Sequence, residues 1–382
     1  MRSQLMRVVV APDKFKGSAT SAEAAGAIGA GLRAVRPDLD IVELPVADGG
    51  DGTVAAAVAA GFLPAGVTVE GPTGEPVQAM FALDGGTAVI ELAEVAGLRR
   101  LPGGQAALAP LTASTYGLGQ VIAAALDRGA RTIVLGVGGS ASTDGGAGLL
   151  QALGVRLADG QGHPLGRGGA ALGDLALVDP AGLDPRLAAV RFLVASDVDS
   201  PLLGPAGAAA VFGPQKGAGP AQVALLDRAL ARWADLTRSV TGLELASVPG
   251  AGAAGGTGYG ALAYLGARLT PGIDLVLDLI GFDTAVAGAG LVITGEGRLD
   301  AQTLSGKAPA GVARAAARHG VPVAAVAGRV LLTDAELARA GFVAAYSLAA
   351  VEPDLALSMS RVLPSLEQIG RQIAASELIG QR

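Results

Sequence analysis

Residues 6–52 read MRVVVAPDKFKGSATSAEAAGAIGAGLRAVRPDLDIVELPVADGGDG and begin with a Val-rich apolar run of the kind found in buried strands. Thr20 and Glu23 have the spacing of a capping box, so a helix is predicted after Thr20, and Pro37 ends it. A second apolar run at 41–47 follows the helix. The pattern predicts a βαβ unit, which is the building block of a parallel sheet.

Strand–helix alternation returns near the carboxyl end of the chain, where a single long helix is predicted to follow the last strand. Between the two ends, short runs broken by Gly and Pro are typical of antiparallel hairpins, and longer apolar runs predict buried strands. The predicted strands outside residues 6–52 are 67–70, 76–83, 88–92, 131–137, 190–195, 290–294, 321–327 and 342–346. We therefore predict an α/β protein in which residues 1–66 and 285–382 form one discontinuous domain, and residues 67–284 form an inserted α/β mixed-sheet domain.

The composition favours a soluble, cytoplasmic protein that acts on small molecules. Hydrophobic residues make up 51% of the 382 residues, yet the apolar runs at 285–293 and 321–327 are shorter than the roughly 18–20 residues of a membrane-spanning helix. A formal net charge of −6 and 3% aromatic residues argue against nucleic acid as a partner. We expect no membrane partner, and the apolar composition leaves room for a homodimer.

Several kinds of catalytic site are excluded by residue counts. The chain has no cysteine, which rules out disulfides, thiolate catalysis and Cys-ligated zinc. His163 and His319 are the only histidines and lie far apart in sequence, which argues against a His-dependent triad or a His-rich metal site.

Polar Gly- and Asp-containing turns follow the carboxyl ends of predicted strands. They contain Asp13, Asp48, Gly138, Asp197 and Glu296. Ligands of open α/β sheets bind outside these strand ends. We therefore expect the five turns to converge on one cleft between the two domains.

Residues 138–144, GGSASTD, have the composition of a phosphate-binding turn. Glycines allow the backbone to approach phosphate oxygens, and the following helix offers N–H donors. The alternative is a tight strand-to-helix turn that Asp144 caps.

Carboxylates and cations also concentrate in these turns. Asp197 and Asp199 would share one face of an extended segment and could reach one Mg²⁺, unless they only stabilise the turn. Cations in Gly-rich loops could neutralise phosphoryl groups or clamp carboxylates, although a lone loop cation is commonly just solvated. They are Lys14, Lys16, Lys216, Arg298 and Lys307.

The sequence lacks one common nucleotide-binding motif and contains a weak match to another. No segment fits the G-x-x-x-x-G-K-[ST] pattern of a P-loop. Residues 250–255, GAGAAG, fit G-x-G-x-x-G, but Pro249 rather than a clear strand precedes them. A close-packed helix start, a phosphate- or adenine-facing turn and an NAD fingerprint are all compatible with this segment, the last in a poor context.

In their order along the chain, these motifs resemble the type 1 glycerate kinase family, the bacterial glycerate 2-kinases. The matching segments cover nearly the whole chain. They are APDKFKGS (11–18), PVADGGDGT (45–53), GVGGSA (136–141), DGGAG (144–148), ASDV (195–198), FGPQKGA (212–218), GAGAAGG (250–256), TGEGRLD (294–300), QT (302–303) and GK (306–307).

The resemblance implies ATP-dependent phosphorylation of D-glycerate at the 2-hydroxyl, and a flavodoxin-like parallel-sheet domain interrupted by a second α/β domain. The alternatives are a glycerate 3-kinase, a kinase of another small hydroxy acid and, less favoured, an NAD-dependent hydroxy-acid dehydrogenase. Two positions depart from the family: Ser200 stands where Asn usually precedes Pro-Leu, and Lys14 where Ser or Thr is common. Because Ser200 can still donate and accept hydrogen bonds, we expect activity to be retained.

Roles follow as hypotheses, with ATP and Mg²⁺ as cofactors. Lys16 and Arg298 would hold the glycerate carboxylate or the γ-phosphate, and Asp48 or Asp197 would accept the hydroxyl proton. Asp197 and Glu296 are the predicted Mg²⁺ ligands. The predicted substrate-binding residues are Asp13, Lys14, Ser18, Gly49, Gly50 and Asp51. The predicted nucleotide- or phosphate-binding residues are Gly138, Gly139, Ser140, Asp144, Lys216, Gly252, Gly255 and Lys307.

Overall fold

The structure is a computed structural model that describes residues 5–103, 107–304 and 306–380. Its strands, in chain order, are β1 (Arg7–Pro12), β2 (Asp40–Glu43), β3 (Leu63–Glu70), β4 (Pro76–Asp84), β5 (Thr87–Glu91), β6 (Thr132–Gly136), β7 (Arg156–Asp159), β8 (Leu175–Asp179), β9 (Arg191–Ala195), β10 (Arg268–Thr270), β11 (Leu291–Leu299), β12 (Val323–Val330) and β13 (Phe342–Ser347).

The α-helices alternate with these strands over much of the chain. They are α1 (Ser21–Val35), α2 (Thr53–Ala59), α3 (Ala93–Ala96), α4 (Tyr116–Asp127), α5 (Ala147–Ala152), α6 (Ala208–Phe212), α7 (Pro220–Thr241), α8 (Ala253–Leu265), α9 (Gly272–Leu279), α10 (Phe282–Val286), α11 (Ala301–Leu304), α12 (Ala308–Arg318), α13 (Asp334–Arg339), α14 (Leu348–Val351), α15 (Leu355–Ser360) and α16 (Val362–Ala374). Short 3₁₀ helices occur at Leu98–Arg100, Gly169–Asp174, Pro180–Gly182, Pro185–Ala189 and Pro214–Lys216. In the described part of the chain, every helix is too short or too polar to cross a lipid bilayer.

The chain packs into two compact units. The first comprises Met1–Asp48, Ala55–Gly61 and Ile273–Arg382, and the second comprises Gly49–Val54 and Phe62–Gly272. The edges of these units differ from the predicted boundaries after residues 66 and 284. β3 pairs with β4 along its whole length, so its first residues belong to the second unit's sheet. Ile273 and Phe282 pack in a core of the first unit. The assignment of domains stays a prediction.

The first unit contains a five-stranded parallel sheet in the order β13-β12-β11-β1-β2. Counted within this unit, that is the flavodoxin-like order, and the prediction of a parallel α/β fold is confirmed. Alternate side chains of β1 enter two cores. Val8 and Val10 pack with α1 and α16, while Val9 and Ala11 pack with α9 and α12. Helices on both faces explain why β1 is apolar throughout.

The second unit contains a mixed sheet in the order β10-β9-β6-β5-β4-β3. The strands from β10 to β5 are parallel, and β4 and β3 are antiparallel additions at one edge, which confirms the predicted mixed sheet and its hairpins. A separate antiparallel pair joins β7 and β8. Most of its core is a large apolar cluster that includes the fully buried Trp233.

Two local predictions were wrong. Residues 295–298 were predicted as a turn after a strand, but they continue β11 because β12 extends beside them and pairs Glu296 with Ala327 and Arg298 with Arg329. The predicted single C-terminal helix is instead α14, α15 and α16. Pro353 accounts for the first break, because a residue before proline disfavours the helical region, and Glu352 is extended.

Candidate active site

Three carboxyl groups of the first unit lie near one another, directly after β1, beyond β2 and within β11. Asp13 follows β1 directly, and its backbone N–H donates to the Gly295 carbonyl of β11 at 2.8 Å. Beyond β2 the chain stays beside β1, where Val46 N–H donates to the Pro12 carbonyl at 3.0 Å, and it reaches Asp48 two residues later. Asp48 and Glu296 both raise the pKa of Asp13. The three side chains therefore share one electrostatic environment.

Asp13 is a buried acid whose ionisation lies in the neutral range. Its exposed fraction is 6%. Burial is the main cause that raises its pKa to about 7, with smaller increases from Asp48 and Glu296. Lys14 acts in the opposite direction, through its ammonium 3.6 Å from Asp13 Oδ1 and its backbone N–H, which donates to the same oxygen at 2.7 Å. A carboxyl in this state can accept or release a proton near pH 7.

Glu296 is held by two partners that follow it in the chain. The Thr303 hydroxyl donates to Glu296 Oε1 at 2.5 Å, and the Lys307 ammonium lies 4.0 Å from Oε2. Burial raises the pKa of Glu296, while Thr303 and Lys307 lower it. Since Lys307 stands beyond hydrogen-bonding distance, Oε2 retains capacity for a further ligand.

A cavity of about 280 Å³ opens beside these strand ends, and Lys16, Ser18 and Arg298 are among its lining residues. The Arg298 guanidinium donates to Asp300 at 2.8 Å. The loop that carries Lys16 is pinned at its base, where Phe15 and Ala19 exchange backbone hydrogen bonds of 2.9 Å. The first unit thus gathers the predicted site residues Asp13, Lys14, Lys16, Ser18, Asp48, Glu296, Arg298 and Lys307.

The second unit holds the remainder of the Asp-Gly-Gly-Asp-Gly turn. Gly50 accepts a hydrogen bond from the Thr53 hydroxyl at 2.7 Å, and Asp51 forms a salt bridge with Arg99. An added Cβ on Gly49 would lie 2.6 Å from the Ala195 side chain, so this turn packs against the end of β9.

Glu91 anchors the same turn and was missed by the sequence reasoning. It ends β5, is 3% exposed, and its Oε1 accepts the N–H groups of Gly52 at 3.1 Å and Val54 at 2.6 Å, at the start of α2. Burial is the main cause that raises the pKa of Glu91 to about 7, and the two N–H groups oppose it. A signal did exist, because Glu91 is a carboxylate at a predicted strand end, like Asp13, Asp48, Asp197 and Glu296.

Residues 138–140 form a turn that the buried side chain of Lys216 stabilises by hydrogen bonds. The Lys216 ammonium donates to the Ser140 hydroxyl at 2.8 Å and to the Ser142 carbonyl at 2.5 Å. Lys216 is 1% exposed, and burial lowers its pKa to about 7, with Asp144 acting in the opposite direction. Gly138 lies against Gly50, since a Cβ added to it would stand 2.8 Å from the Gly50 Cα.

Asp144 has an internal role in this structure. It is fully buried and accepts hydrogen bonds from the Thr115 N–H and hydroxyl, both at 2.8 Å, and from Gly146 N–H at 3.2 Å. This geometry matches the alternative of an aspartate that caps a turn. The hydroxyls of Ser142 and Thr143 next to it are buried, and neither has a hydrogen-bond partner among the residues that the structure describes.

The 250–255 segment is a close-packed turn. Gly255 has a φ of +67°, and an added Cβ would stand 2.1 Å from the Ser142 carbonyl oxygen, so only glycine fits there. Gly252 N–H donates to the Ser200 carbonyl at 2.9 Å. The segment follows α7 and a loop rather than a strand, so it lacks the βαβ context of a dinucleotide fingerprint.

Asp197 follows β9, and its Oδ1 accepts the Gly272 N–H at 2.9 Å. It belongs to the second unit, whereas Glu296 belongs to the first. Among the described residues, no three His, Asp or Glu side chains are grouped as a protein-only metal site requires. The second unit holds the other predicted site residues: Gly49, Gly50, Asp51, Gly138, Gly139, Ser140, Asp144, Asp197, Lys216, Gly252 and Gly255. Their convergence with the first set on one cleft stays a prediction.

Comparison with known proteins identifies the family. The sequence model of the glycerate kinase family matches residues 8–377. The chain is 46% identical to a glycerate kinase of Bacillus subtilis over 375 residues, 97% of each chain, and 41% identical to a glycerate 2-kinase of Escherichia coli over 380 residues, 99% of each. A solved structure from Salmonella typhimurium LT2, named as a glycerate kinase 2, superposes with a TM-score of 0.86 at 42% identity and covers 99% of this chain and 100% of its own. Matches of this extent, together with carboxylates and cations at the strand ends, place the chain in the glycerate kinase family.

Proposed function

We propose that this enzyme transfers the γ-phosphoryl group of ATP to the 2-hydroxyl of D-glycerate and releases 2-phospho-D-glycerate and ADP. The observation that carries the proposal is the buried carboxyl group of Asp13 beside Asp48 and Glu296, with cations around it. The name of the Escherichia coli relative, glycerate 2-kinase, supports the 2-position. Phosphoryl transfer depends mostly on positioning and charge neutralisation, and these residues can supply both.

In the reaction, the substrate hydroxyl oxygen bonds to the γ-phosphorus while the bond from that phosphorus to the bridging oxygen of ADP breaks. The hydroxyl proton passes to a carboxylate. We propose Asp48 or Asp197 as this acceptor. Asp13 is a third carboxylate with a suitable ionisation, because its pKa is about 7.

Cations complete the proposed site. Lys16 and Arg298 hold the glycerate carboxylate or the γ-phosphate, and Lys307 supports Glu296. Lys216 is predicted to contact phosphate, and its ammonium donates hydrogen bonds to Ser140 and Ser142. We propose that it shapes the 138–140 turn so that the turn's backbone can approach phosphate oxygens.

The residues present also suit Mg²⁺, a hard cation that commonly takes one or two protein carboxylates together with substrate phosphates and water. Glu296 has an oxygen with remaining capacity, and Asp197 supplies a second carboxylate just beyond the end of β9. When bound, Mg²⁺ would neutralise charge on the phosphates. We propose these two carboxylates as its protein ligands.

Phosphorus NMR of the product made from D-glycerate and MgATP tests the proposal. We expect the resonance of 2-phosphoglycerate together with ADP. Appearance of 3-phosphoglycerate would establish the 3-kinase alternative, and turnover only with another hydroxy acid would establish a different substrate. A change in NADH absorbance with hydroxy acids would be needed for a dehydrogenase, which the context of residues 250–255 disfavours.

A further inference from the structure

The cavity of the first unit lies at the topological switch point of its sheet. Its lining comes from the loop after β1, the last residues of β11 and β12, and the segment that follows β13. β1 and β11 are neighbours in the order β13-β12-β11-β1-β2, and the strands on their two sides are added in opposite directions. Crevices at such points bind ligands in open parallel sheets, and mononucleotides are common among them.

One side of the cavity is cationic. Lys16, Arg298 and Arg329 all line it. Arg298 is paired with Asp300, whereas in the described part of the chain neither Lys16 nor Arg329 takes part in a salt bridge. With Glu352 in the lining and Asp300 counted beside its partner Arg298, the formal charge is three positive minus two negative, or +1. The cavity therefore favours an anion.

The other side is apolar and open. Leu348 of α14 and Leu355 and Met359 of α15 contribute to it, and Leu355 and Met359 remain 55% and 45% exposed. Apolar side chains left open next to unpaired cations indicate a ligand with an apolar part and a charged part.

The cationic and apolar sides of the cavity together suit one substrate of the proposed reaction, ATP, better than the other, glycerate. Glycerate has a single carboxylate and hydroxyls and no apolar group, so contact with the apolar side would bury its hydroxyls without partners at a cost. A nucleotide presents a flat base, ribose hydroxyls and several phosphate charges. Carboxylates commonly accept hydrogen bonds from ribose hydroxyls, which gives Glu352 a function that it lacks towards an acid substrate.

We propose that this cavity is the nucleotide pocket of the enzyme, with the base and ribose of ATP against α14 and α15 and the phosphates towards Lys16 and Arg329. The inference rests on the proposed function. It assigns Lys16 to the phosphates of ATP rather than to the glycerate carboxylate. It also assigns a role to Arg329, which the sequence motifs did not mark.

The loop that presents Lys16 is already ordered for this role. Phe15 is 3% exposed and exchanges two backbone hydrogen bonds with Ala19. Met359 Cε stands 3.7 Å from the position of a Cβ on Gly17, so the apolar side packs directly on the loop. A pre-ordered loop lowers the entropic cost of binding.

Titration calorimetry of the full chain with AMP-PNP and Mg²⁺, without glycerate, tests the inference. Arg329→Gln removes a phosphate partner and should weaken binding about tenfold to hundredfold. Met359→Glu places a carboxylate in the apolar side and should weaken binding at least about tenfold. Arg156→Gln, an exposed arginine of the second unit, and Leu357→Glu, on α15 but outside the lining, are matched controls that should bind like the wild type.

Steady-state kinetics give a second readout, in which KM for ATP should rise in Arg329→Gln and Met359→Glu while KM for D-glycerate stays constant. Wild-type affinity in both variants, no binding of AMP-PNP to the wild type, or a rise in KM for glycerate alone would overturn the inference. Failure of the proposed function is distinct: the chain would then bind AMP-PNP in this variant-sensitive way but form no phosphoglycerate.

Discussion

Buried carboxyl groups of the first unit have pKa values above the ordinary range. Asp13 has a pKa of about 7 mainly because it is buried, and Asp48 raises the pKa of both Asp13 and Glu296. Lys14 and Lys307 moderate these effects without removing them. A group of carboxyls in this condition is commonly found where protons are transferred, because a base works best when its pKa is near the working pH.

Replacing a proposed proton acceptor should slow catalysis without unfolding the chain. We expect Asp48→Asn and Asp197→Asn each to lower kcat by roughly 100- to 10,000-fold, since the amide cannot take the hydroxyl proton. ATP turnover with D-glycerate and a thermal melt measure the two effects. Asp174→Asn, at an exposed aspartate, is the control. Near-normal turnover in either variant would remove that aspartate from the role.

Lys216 should make stability depend on pH. Its pKa is about 7 in the folded chain and near 10.5 when exposed, so the unfolded chain binds more protons between these values. The free energy of unfolding should therefore rise with pH from about 7 to 10.5 through this group. Urea denaturation of the wild type and Lys216→Met across this range isolates the contribution. Equal slopes in the two proteins would show that the ammonium is not buried as described.

Among the secondary-structure elements, α2 depends on a carboxyl supplied by β5. Glu91 accepts the N–H groups of Gly52 and Val54, which have no partner within the first turn of the helix. This one side chain connects the end of β5 to the Gly-rich turn. The arrangement is a helix cap contributed from 37 to 39 residues away in sequence.

Variants of Glu91 should distinguish the stability that comes from capping α2 from the pH dependence that comes from the charge of Glu91. The folded pKa of about 7 exceeds the ordinary value of 4.5, so the folded chain binds more protons between them, and the free energy of unfolding should fall as pH rises through this window. Glu91→Gln keeps an acceptor oxygen and should abolish this fall. Glu91→Ala leaves two N–H groups unpaired and should cost about 1–3 kcal/mol. Urea denaturation from pH 4.5 to 8 provides the measurement; a similar loss in both variants would contradict the cap.

The packing of α1 on α16 sets a second requirement on an element. A Cβ on Gly31 would stand 2.0 Å from the Glu367 carbonyl oxygen, whereas a Cβ on Gly26 of the same helix meets nothing closer than 3.8 Å. Gly31→Ala should therefore destabilise the chain by about 1–3 kcal/mol. Gly26→Ala is the matched control and should stabilise it by about 0.5–1 kcal/mol through helix propensity. Urea denaturation measures both, and equal effects would refute the close contact.

For the whole molecule, the division into two compact units falls inside the motif at residues 48–52. Asp48 belongs to the first unit and residues 49–52 to the second. Each unit carries its own sheet with functional candidates at the carboxyl ends of its strands. Because no three carboxylates or histidines are grouped in the described residues, we expect Mg²⁺ to arrive with the nucleotide rather than to reside in the free protein.

Chelation should therefore separate activity from stability. EDTA should abolish ATP turnover, and excess Mg²⁺ should restore it, because the phosphates lose their counter-charge. The melting temperature of the ligand-free chain should be the same with and without EDTA. A drop in melting temperature on chelation would indicate a resident structural metal.

The sequence alone determined the features that depend on nearby residues or on ordered motifs. The Thr20–Glu23 capping box forms with both of its hydrogen bonds, because its donors and acceptors lie within three residues. The apolar runs and the Gly and Pro turns between them predicted the parallel and mixed sheets, since runs of this length are typical of buried strands. The ordered Gly- and Asp-rich motifs predicted the family.

Only the tertiary structure decided the features that depend on partners far away in the chain. β11 extends through Arg298 because β12 pairs beside it. Lys216 is buried because its ammonium donates hydrogen bonds to Ser140 and Ser142. Arg329 lines the cavity because it pairs with Arg298 of β11. Burial and pKa are properties of the assembled surroundings, and residues separated by tens to hundreds of positions create those surroundings. A local pattern in the sequence therefore cannot predict the burial or the pKa of these residues.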